Sequence, residues 1–492
     1  MTAKHSDPVR GLTTTPKSAL FEGRFGRMFR QLPAATFGKD EKENKVNLGL
    51  LGVAMSSEAD PLDPKDGQDD EESAIPALYT YFGQFVDHDI TFDPASSLQK
   101  QNDPNALVDF RSPALDLDNV YGRGPSDQPY MYDGDTGKFL LGAPLTGGNQ
   151  GAKDLARNGQ DRALIGDPRN DENSLVSQLQ GLVHRFHNRY VTEHASLSFE
   201  EVQQQVRFHY QYIIVNDFLP RIVHSSVLAD LKANGVVDRK KLKWFHWKNS
   251  PFMPVEFAVA AYRIGHSMIR SGYRLNDATI RSIFPSDTDP LGLLGFKAMQ
   301  TTWAIDWGRF IDIDVRDNDI KAKRLQFAYR LDTSLVNPLA SLPPTVAAFP
   351  SSLAQRNLLR GWRLGLPSGQ DVARAMNVQA LTDDEIMIGK DTPDSELKKI
   401  ADVAPVFAGN CPLWTYVLAE ARHYEETVDL PVHPAKTLLS PRLGPVGGRI
   451  VAEVLLGLLF GDGNSYLNVH ASYVPDNNPK YALKDFVRYA LG

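Results

Sequence analysis

The segment Tyr79-Thr-Tyr-Phe-Gly-Gln-Phe-Val-Asp-His-Asp-Ile-Thr91 combines an apolar helical stripe with a cluster of ionisable residues. Its apolar residues recur at helical spacing, which predicts a largely buried helix; they are Leu78, Phe82, Phe85 and Val86. Gln84 and His88 lie four residues apart and share a face, while Asp87 and Asp89 point to either side. Burying such a cluster is costly unless its members are paired or coordinate a ligand. The alternative is a satisfied core histidine with two capping carboxylates.

The composition is that of an ordinary soluble globular protein. The 492 residues are 42% hydrophobic and 23% charged, with a formal net charge of -7. This acidic balance argues against nucleic acid or an anionic membrane as the main partner. The single cysteine, Cys411, excludes an intramolecular disulfide and a cysteine-rich zinc or iron–sulfur site.

Neither a signal peptide nor a membrane span is predicted. The segment Met1–Pro8 is polar and lacks the apolar core of a signal peptide. The most apolar segment, Val451–Phe460, contains Glu453 and is shorter than the roughly 20 residues that cross a bilayer. We therefore expect a cytoplasmic or non-classically secreted protein.

The chain is predicted to form one large, mainly α domain with long irregular loops and little β structure. Prolines and glycines predict an irregular arm over residues 1–50, and Ser56–Ser73 is predicted to be a solvated acidic loop. We assign residues 1–74 to this arm and loop, packed on a main domain of residues 75–492. The polar segment Asp93–Gly166 is long for a loop, which is typical of functional or ion-stabilised loops.

Amphipathic spacing predicts further helices. One carries Leu175 to Tyr190, and Ser198-Phe-Glu-Glu201 predicts a capping-box start for the next. A third runs from about Val255 to Ile269. Others are predicted at Leu353–Trp362, Val372–Met376, Leu413–His423 and Arg449–Phe460.

Three more groups carry chemistry that fits the first cluster. Arg169, in Gly166-Asp-Pro-Arg-Asn-Asp-Glu172, is a fixed cation able to stabilise developing negative charge. His266 follows Gly265, which would let a flat ligand approach the backbone closely. Asn357, in Asn357-Leu-Leu-Arg360, could hold the second ring nitrogen of a ligating histidine. Taken singly, the first group is a turn with a weak signal, and a histidine such as His266 is more often a core residue than a ligand. The third group is equally well explained as an exposed polar face.

Together, the groups resemble the motifs of the peroxidase–cyclooxygenase superfamily, specifically the animal-type haem peroxidases similar to myeloperoxidase and lactoperoxidase. The resemblance covers about residues 75–460. Without a signal peptide or disulfides, the chain resembles a bacterial member of the family. The motifs occur in the family's order, namely Phe82–Thr91, Val120-Tyr-Gly122, Gly166–Glu172, His187-Asn-Arg189, Asn216–Pro220, Tyr262–His266, Asn357–Arg360, Gly365-Leu-Pro367 and Leu443–Ile450.

The resemblance implies a haem b cofactor and a role for each matching residue. His88 matches the distal histidine, Arg169 the distal arginine and Gln84 the glutamine that holds a water or halide. His266 matches the proximal ligand of the haem iron, with Asn357 as its hydrogen-bond partner. The remaining matches are Asp87 and Glu172, which form ester bonds to haem in mammalian members, and Arg263 and Arg360, which lie near the haem carboxylates and the proximal side.

The resemblance also implies a calcium ion. Asp89 matches a calcium ligand, and the other ligands are expected in the loop Ser112–Asp118. There Ser112, the carbonyl of Ala114, Asp116 and Asp118 alternate, so that their oxygens face one way in an extended loop. Hard oxygen ligands in this arrangement suit Ca²⁺.

The implied activity is peroxidation. Hydrogen peroxide is cleaved with His88 as general acid–base and Arg169 stabilising charge, and a ferryl intermediate then oxidises a small electron donor. Asn173 follows Glu172, where chloride-oxidising myeloperoxidase has a methionine bonded to haem. We therefore expect bromide, iodide, thiocyanate or small aromatic donors rather than chloride.

Three other functions are alternatives to peroxidation. A fatty-acid oxygenase of the same superfamily is the nearest, although cyclooxygenases place a radical tyrosine where this chain has Arg263, and Tyr262 lies one residue earlier. A helical binding protein without catalysis is disfavoured by the presence of His88, Arg169 and His266 together, because a buried charge without its partner is strongly destabilising. A non-haem metal hydrolase is disfavoured because Asp87, His88 and Asp89 diverge on a helix.

Overall fold

Helix α2, Leu78–Ile90, matches the helix predicted for the quoted segment. The structure, a computed structural model, describes residues 23–57, 69–92, 108–109, 111–317, 323–347, 349–393 and 395–492. The described part is mainly helical, which confirms the predicted fold class. Its α-helices are α1 (Glu41–Ala54), α2, α3 (Asp118–Tyr121), α4 (Ser174–Glu193), α5 (Phe199–Ile213), α6 (Leu219–Ile222), α7 (Ser225–Asp230), α8 (Asn337–Ala340), α9 (Leu353–Arg363), α10 (Gly369–Ala375), α11 (Ile400–Val403), α12 (Leu413–Ala421), α13 (Gly447–Gly461), α14 (Tyr466–Val469) and α15 (Leu483–Leu491).

The strands are short and form small sheets. They are β1 (Gly23–Gly26), β2 (Glu72–Pro76), β3 (Val108–Asp109), β4 (Leu141–Pro144), β5 (Lys153–Leu155), β6 (Lys232–Ala233), β7 (Val236–Val237), β8 (Met253–Pro254), β9 (Gly272–Arg274), β10 (Ile280–Ser282), β11 (Arg316–Asp317), β12 (Phe327–Tyr329), β13 (Met387–Ile388), β14 (Lys398–Lys399), β15 (Glu425–Leu430), β16 (Val432–His433) and β17 (Lys436–Pro441). β1 pairs antiparallel with β3 and parallel with β8. The other pairs are β2–β12, β4–β5, β6–β7, β9–β10, β13–β14 and β15–β17, all antiparallel, and the parallel pair β11–β16.

Aromatic contacts fix α2 against α5. Phe82 and Phe85 each meet the ring of Tyr210 edge to face, with centroids 6.0 and 6.2 Å apart. The ring of Phe218 also meets that of Phe82 edge to face, with centroids 5.4 Å apart. Each such pair contributes about 0.5–1.5 kcal/mol beyond the burial of its surface. The apolar stripe of α2 is thereby buried as predicted.

The segment predicted as one α-helix from about Val255 to Ile269 has a different geometry. A π-helix covers Phe257–Ala261 and a 3-10 helix covers Arg263–His266. The amide of Tyr262 donates to the carbonyl of Phe257, and the two rings stack with centroids 4.6 Å apart. The wider turn aligns rings five positions apart, which a regular α-helix does not do. The prediction of a continuous helix was therefore wrong.

The prediction of an irregular arm over residues 1–50 was wrong for its last part, which belongs to α1. The side chain of Asp40 accepts a hydrogen bond from the amide of Glu43 and caps this helix. α1 packs on α9, where Gly52 lies against the backbone of Gln355. The division into an arm of residues 1–74 and a domain of 75–492 stays a prediction, and β2 spans that boundary. Residues 58–68 of the predicted acidic loop lie outside the described residues.

Within the described residues, no helix has both the length and the apolar character needed to cross a bilayer.

Candidate active site

A cavity of about 630 Å³ is lined by residues of both α2 and the 3-10 helix Arg263–His266. His88 and His266 line this one cavity, although they are far apart in the sequence. Its volume falls within the range of small-molecule and cofactor sites. The other predicted site residues in its wall are Gln84, Asp87, Arg169, Glu172 and Arg263, and much of the remaining wall is apolar.

His88 is buried and is held by a hydrogen bond at one of its two ring nitrogens. Its Nδ1 lies 2.7 Å from Oδ1 of Asn170, and its Nε2 lies 3.6 Å from Oε1 of Glu172. Its backbone carbonyl accepts a hydrogen bond of 2.9 Å from Nη2 of Arg169. The histidine and the arginine of the predicted site are therefore in direct contact.

Arg169 is fixed by a buried carboxylate. Its Nη2 donates to Oδ2 of Asp167 at 2.7 Å, and its guanidinium lies 4.5 Å from the ring centroid of Phe92. Arg111 also donates to Asp167. Burial would raise the pKa of Asp167, but the charges of Arg169 and Arg111 hold that pKa well below its ordinary value. Asp167 therefore stays ionised and keeps the Arg169 guanidinium in place.

Gln84 and Glu172 are joined on the same side of the cavity. Nε2 of Gln84 donates to Oε1 of Glu172, and Oε1 of Gln84 accepts a hydrogen bond of 3.3 Å from Nδ2 of Asn173. Gln84 and His88 thus share a face, as predicted, and both meet Glu172. Asp87 also lines the cavity, and its Oδ1 accepts a hydrogen bond of 3.0 Å from Thr91.

The amide nitrogen Nδ2 of Asn357 lies 2.7 Å from Nδ1 of His266. We expected the amide oxygen there, since an acceptor would place the proton on Nδ1 and leave Nε2 free to bind iron. A half-turn of the amide about its Cβ–Cγ bond exchanges the two atoms. Burial, and secondarily Arg263, lower the pKa of His266 to about 3, so its ring is neutral.

A cationic compartment adjoins the main cavity. It has a volume of about 270 Å³ and shares Asp87, Arg169 and Arg263 with the larger cavity. Arg356, Asn357 and Arg360 also line it. Four guanidinium groups around one small space suit a carboxylate-bearing ligand.

These features fit haem. Two imidazoles and an apolar wall face one cavity, and the arginines lie where carboxylates could be bound. A Cβ atom added to Gly265, which lines the cavity, would meet no heavy atom within 4 Å. The close approach of a flat ligand predicted at Gly265 therefore has the space it needs.

The predicted calcium ligands are partly assembled. Ligand oxygens of Asp89, Asp116 and Asp118 lie within 4.8 Å of one another. Oδ1 of Asp89 is buried and has no hydrogen-bond partner among the described residues. Burial, then Asp116 and Asp118, raise the pKa of Asp89 well above its ordinary value. A divalent cation would stabilise these carboxylates in their charged form.

The loop Ser112–Asp118 follows the predicted alternation. Ser112, Ala114, Asp116 and Asp118 are half-buried, while the residues between them are buried. The hydroxyl of Ser112 donates to Oδ2 of Asp116 at 2.8 Å.

Sequence reasoning missed the partners of His88 and Arg169. Asp167 and Asn170 were quoted within the Gly166–Glu172 motif but given no role. Asp167 carried a usable signal, because an Asp before Pro168 often caps a helix, and here it caps the 3-10 helix Pro168–Asp171. The contacts of Asn170 depend on tertiary packing and have no local signal.

The sequence was compared with protein families and curated proteins. The family model for the animal haem peroxidase matches residues 96–403. No curated protein matches the chain.

Solved structures share the fold at low sequence identity. Peroxidase A from Dictyostelium discoideum aligns with a TM-score of 0.56 and 14% identity over 94% of this chain and 93% of its own. Fatty acid alpha-dioxygenase from Arabidopsis thaliana aligns with a TM-score of 0.53 and 15% identity over 94% of this chain and 74% of its own. The Oryza sativa fatty acid alpha-dioxygenase aligns with a TM-score of 0.50 and 15% identity, covering 93% and 77%. Because the family model spans more than half of the 492 residues, the chain belongs to the animal haem peroxidase family and is a haem-dependent oxidoreductase.

Proposed function

We propose that this peroxidase uses hydrogen peroxide to oxidise bromide, iodide, thiocyanate or small aromatic donors. The observation that carries the proposal is the presence of His88, Arg169 and His266 in the wall of one cavity. Bound haem would supply the redox chemistry. His266 would hold the iron, and Arg263 and Arg360 would bind the haem carboxylates.

Asp87 and Glu172 are proposed as the attachment points of ester bonds. Both line the cavity, so both could reach a haem bound there. Such bonds would survive extraction with acidic butanone, whereas haem b held without them would be extracted. Full extraction would show that Asp87 and Glu172 serve only as polar wall residues.

His88 is the proton carrier of the proposed reaction. Its Nε2 faces Glu172 across 3.6 Å, while its Nδ1 is occupied by Asn170. Nε2 is therefore the atom that takes a proton from peroxide and returns it to the departing oxygen. The guanidinium of Arg169, oriented by Asp167, stabilises the negative charge that develops as the O–O bond breaks.

Gln84 and Asn173 support the proposed donor preference. Asn173 cannot form a sulfonium bond to haem, and its amide instead holds Gln84. Bromide, iodide and thiocyanate are easier to oxidise than chloride, so they are the expected substrates. Robust chlorination at neutral pH by the purified protein would overturn this preference.

The proposed function is tested by the absorption spectrum of the haem-loaded protein before and after addition of peroxide. The Soret band is expected to shift, and His88→Gln is expected to slow that shift by about 10²-fold or more, since a positioned acid–base group contributes 10²–10⁴-fold. Gln178→Leu, which alters a buried glutamine outside the cavity wall, is the matched control. An unchanged rate in His88→Gln would rule out the proposed proton transfer.

A calcium ion at Asp89, Asp116 and Asp118, with Ser112 and the carbonyl of Ala114, is also proposed. Its support is the close set of carboxylates and the unpartnered oxygen of Asp89. Because Asp89 follows His88 directly, the ion would fix the end of α2 that carries the proton carrier.

A fatty-acid oxygenase is the second candidate. The hydroxyl of Tyr262 is buried, lines the apolar cavity and has no hydrogen-bond partner among the described residues. Oxygen uptake on addition of a fatty acid without peroxide would favour this candidate. Uptake that Tyr262→Phe leaves unchanged would exclude a role for this hydroxyl.

A further inference from the structure

Exposed cations cluster on one surface beside α13. The segment Arg239-Lys-Lys-Leu-Lys243 lies there, and Trp244 and Trp247, which follow it, line a groove of about 460 Å³. Basic side chains from the N-terminal part of the chain line the same groove. We call this surface the basic face, and its exposed cations are Arg24, Arg30, Lys240, Lys241, Lys243 and Lys248.

The cations of the basic face have no acidic partners. In the part of the chain that the structure describes, none of them forms an ion pair. The nearest acidic residues along the segment have other roles, since Asp238 caps the 3-10 helix Arg239–Lys241 and Asp230 lies 3.6 Å from Arg449. The net charge of -7 makes this face opposite in sign to the chain as a whole. Unpaired like charges gathered at one place produce a positive potential that attracts an anionic partner.

The backbone of the basic segment is held in one shape. The carboxylate of Glu453, which is buried in α13, accepts hydrogen bonds of 2.9 and 2.7 Å from the amides of Lys243 and Trp244. Nη2 of Arg449 donates to the carbonyl of Lys241 at 2.7 Å. The exposed lysines therefore stand on a fixed backbone, and a partner does not have to order this backbone when it binds.

Apolar side chains adjoin the cations. Val236, shortly before Arg239 in the sequence, is 61% exposed on the hairpin of β6 and β7. Trp244 and Trp247 are half-buried. Tryptophan beside lysine and arginine, together with an exposed apolar side chain, is typical of surfaces that lie among lipid headgroups.

Single-stranded nucleic acid fits this surface less well, because it needs aromatic rings with an open face for base stacking. The guanidinium of Arg239 lies 5.1 Å from the ring centroid of Trp247. The ring of Trp244 meets that of Phe29 with centroids 5.8 Å apart. Both indole rings are therefore already in contact with neighbouring side chains, whereas lipid headgroups require only the cations and the apolar edge.

We propose that the basic face binds an anionic lipid surface. The lysines of the segment contact headgroup phosphates, the groove receives one headgroup beside Arg24 and Lys248, and Val236 enters the apolar boundary of the bilayer. The acidic balance of the whole chain does not prevent this binding, because charges are screened beyond about 10 Å at ordinary salt and the local charge decides the attraction.

The test is cosedimentation of the haem-loaded protein with vesicles of phosphatidylcholine and phosphatidylglycerol in equal parts, and with vesicles of phosphatidylcholine alone. Binding is expected only to the anionic vesicles and should weaken as the salt concentration rises. The combined variant Lys240→Gln, Lys241→Gln and Lys243→Gln should bind about 100-fold more weakly, because each basic residue near an anionic membrane contributes about fivefold.

The charge-matched control combines three substitutions at exposed lysines elsewhere, namely Lys42→Gln, Lys436→Gln and Lys480→Gln, and should bind like the unmodified protein. Equal melting temperatures of the two triple variants would confirm that both fold. Unchanged binding in the variant of the basic segment, an equal loss in the control, or equal binding to the two kinds of vesicle would overturn the inference.

Val236→Ser separates a membrane from other polyanions. It removes apolar contact without changing charge, so it should weaken binding to the anionic vesicles several-fold and leave any binding to single-stranded DNA or polyglutamate unchanged. Val53→Ser, at a position that is 74% exposed on α1, is its control. Tighter binding to DNA or polyglutamate than to the anionic vesicles at the same salt concentration would show that the basic face serves another partner and would also overturn the inference.

Discussion

Asn173 and Gln84 are joined by a hydrogen bond of 3.3 Å from Nδ2 of the asparagine to Oε1 of the glutamine. Oδ1 of Asn173 at the same time accepts from the amides of Leu175 and Val176 and caps α4. One side chain thus fixes both the start of a long helix and the orientation of a cavity residue.

Asn173→Ser separates these two roles. A serine keeps a cap acceptor, so the free energy of unfolding should change by less than about 0.5 kcal/mol. Gln84 loses one of its two hydrogen-bond partners and keeps only Glu172, so kcat/KM for bromide and thiocyanate should fall several-fold. Thermal denaturation and steady-state assays measure the two effects. Asn173→Ala, the control that loses both contacts, should also be about 1 kcal/mol less stable. An unchanged kcat/KM in the serine variant would show that Gln84 does not need the hydrogen bond from Asn173.

Asn357→Leu removes the hydrogen-bond partner of His266. With no acceptor at Nδ1, the imidazole becomes a weaker electron donor, so the haem reduction potential should rise, while Asn357→Asp should lower it. Spectroelectrochemical titration measures the potential. Gln355→Leu, on the same helix but outside both cavity walls, is the control. Equal potentials in all four proteins would mean that Asn357 does not tune His266.

Asp116→Asn removes one carboxylate of the proposed calcium site. If Ca²⁺ binds the folded protein, a chelator should lower the melting temperature of the unmodified protein, and the variant should melt lower and respond less to the chelator. Asp135→Asn, in an exposed turn, is the charge-matched control and should behave like the unmodified protein. A melting temperature insensitive to chelator and to added Ca²⁺ would argue that Asp89, Asp116 and Asp118 hold no ion.

Glu72→Gln should destabilise the fold strongly. Glu72 is fully buried and accepts from Arg270 and Arg324, so its loss leaves two buried cations without a carboxylate, at a cost of about 3–5 kcal/mol. Glu71→Gln, which alters a partly exposed ion pair with Lys390, should cost no more than about 1 kcal/mol. Denaturant unfolding at neutral pH compares the two.

The effect of Glu72→Gln on the free energy of unfolding should depend on pH. Burial opposes ionisation of Glu72, but Arg270 and Arg324 lower its pKa below 4.5. A depressed folded-state pKa means that its stabilisation is present above the unfolded pKa and is lost as the pH falls through the folded value. The stability difference between Glu72→Gln and the unmodified protein should therefore shrink in acid. A constant difference would show that Glu72 does not titrate with unfolding.

Helices whose apolar residues recur at clear helical spacing, or that begin with a capping motif, were predictable from the sequence. The apolar stripe of α2 placed Gln84 and His88 on one face, and Ser198 and Glu201 marked the start of α5, where the structure has both capping-box hydrogen bonds. The resemblance to the family motifs predicted that His88 and His266 belong to the same site. Cytoplasmic location or non-classical export, a bacterial source and the ester bonds stay predictions.

Other features depend on contacts that no local pattern contains. The π-helix Phe257–Ala261 follows from the stacking of Tyr262 on Phe257, in a segment whose spacing also suits an α-helix. The positions of Asn170 and Asp167 depend on residues far away in the chain. Helix α1 was not predicted because its spacing is weakly amphipathic and prolines interrupt the stretch before it.

The pairing of α1 with α9 has a consequence for biosynthesis. Glu41 and Arg363 form an ion pair of 2.7 Å although 322 residues separate them, and α9 also carries Asn357, the neighbour of His266. During translation, α1 with its buried residues Leu48 and Leu51 emerges long before α9, on which it packs. The apolar residues of α1 therefore lack this packing partner until α9 has been made, and the proposed haem site on the His266 side is complete only after synthesis of nearly three-quarters of the polypeptide.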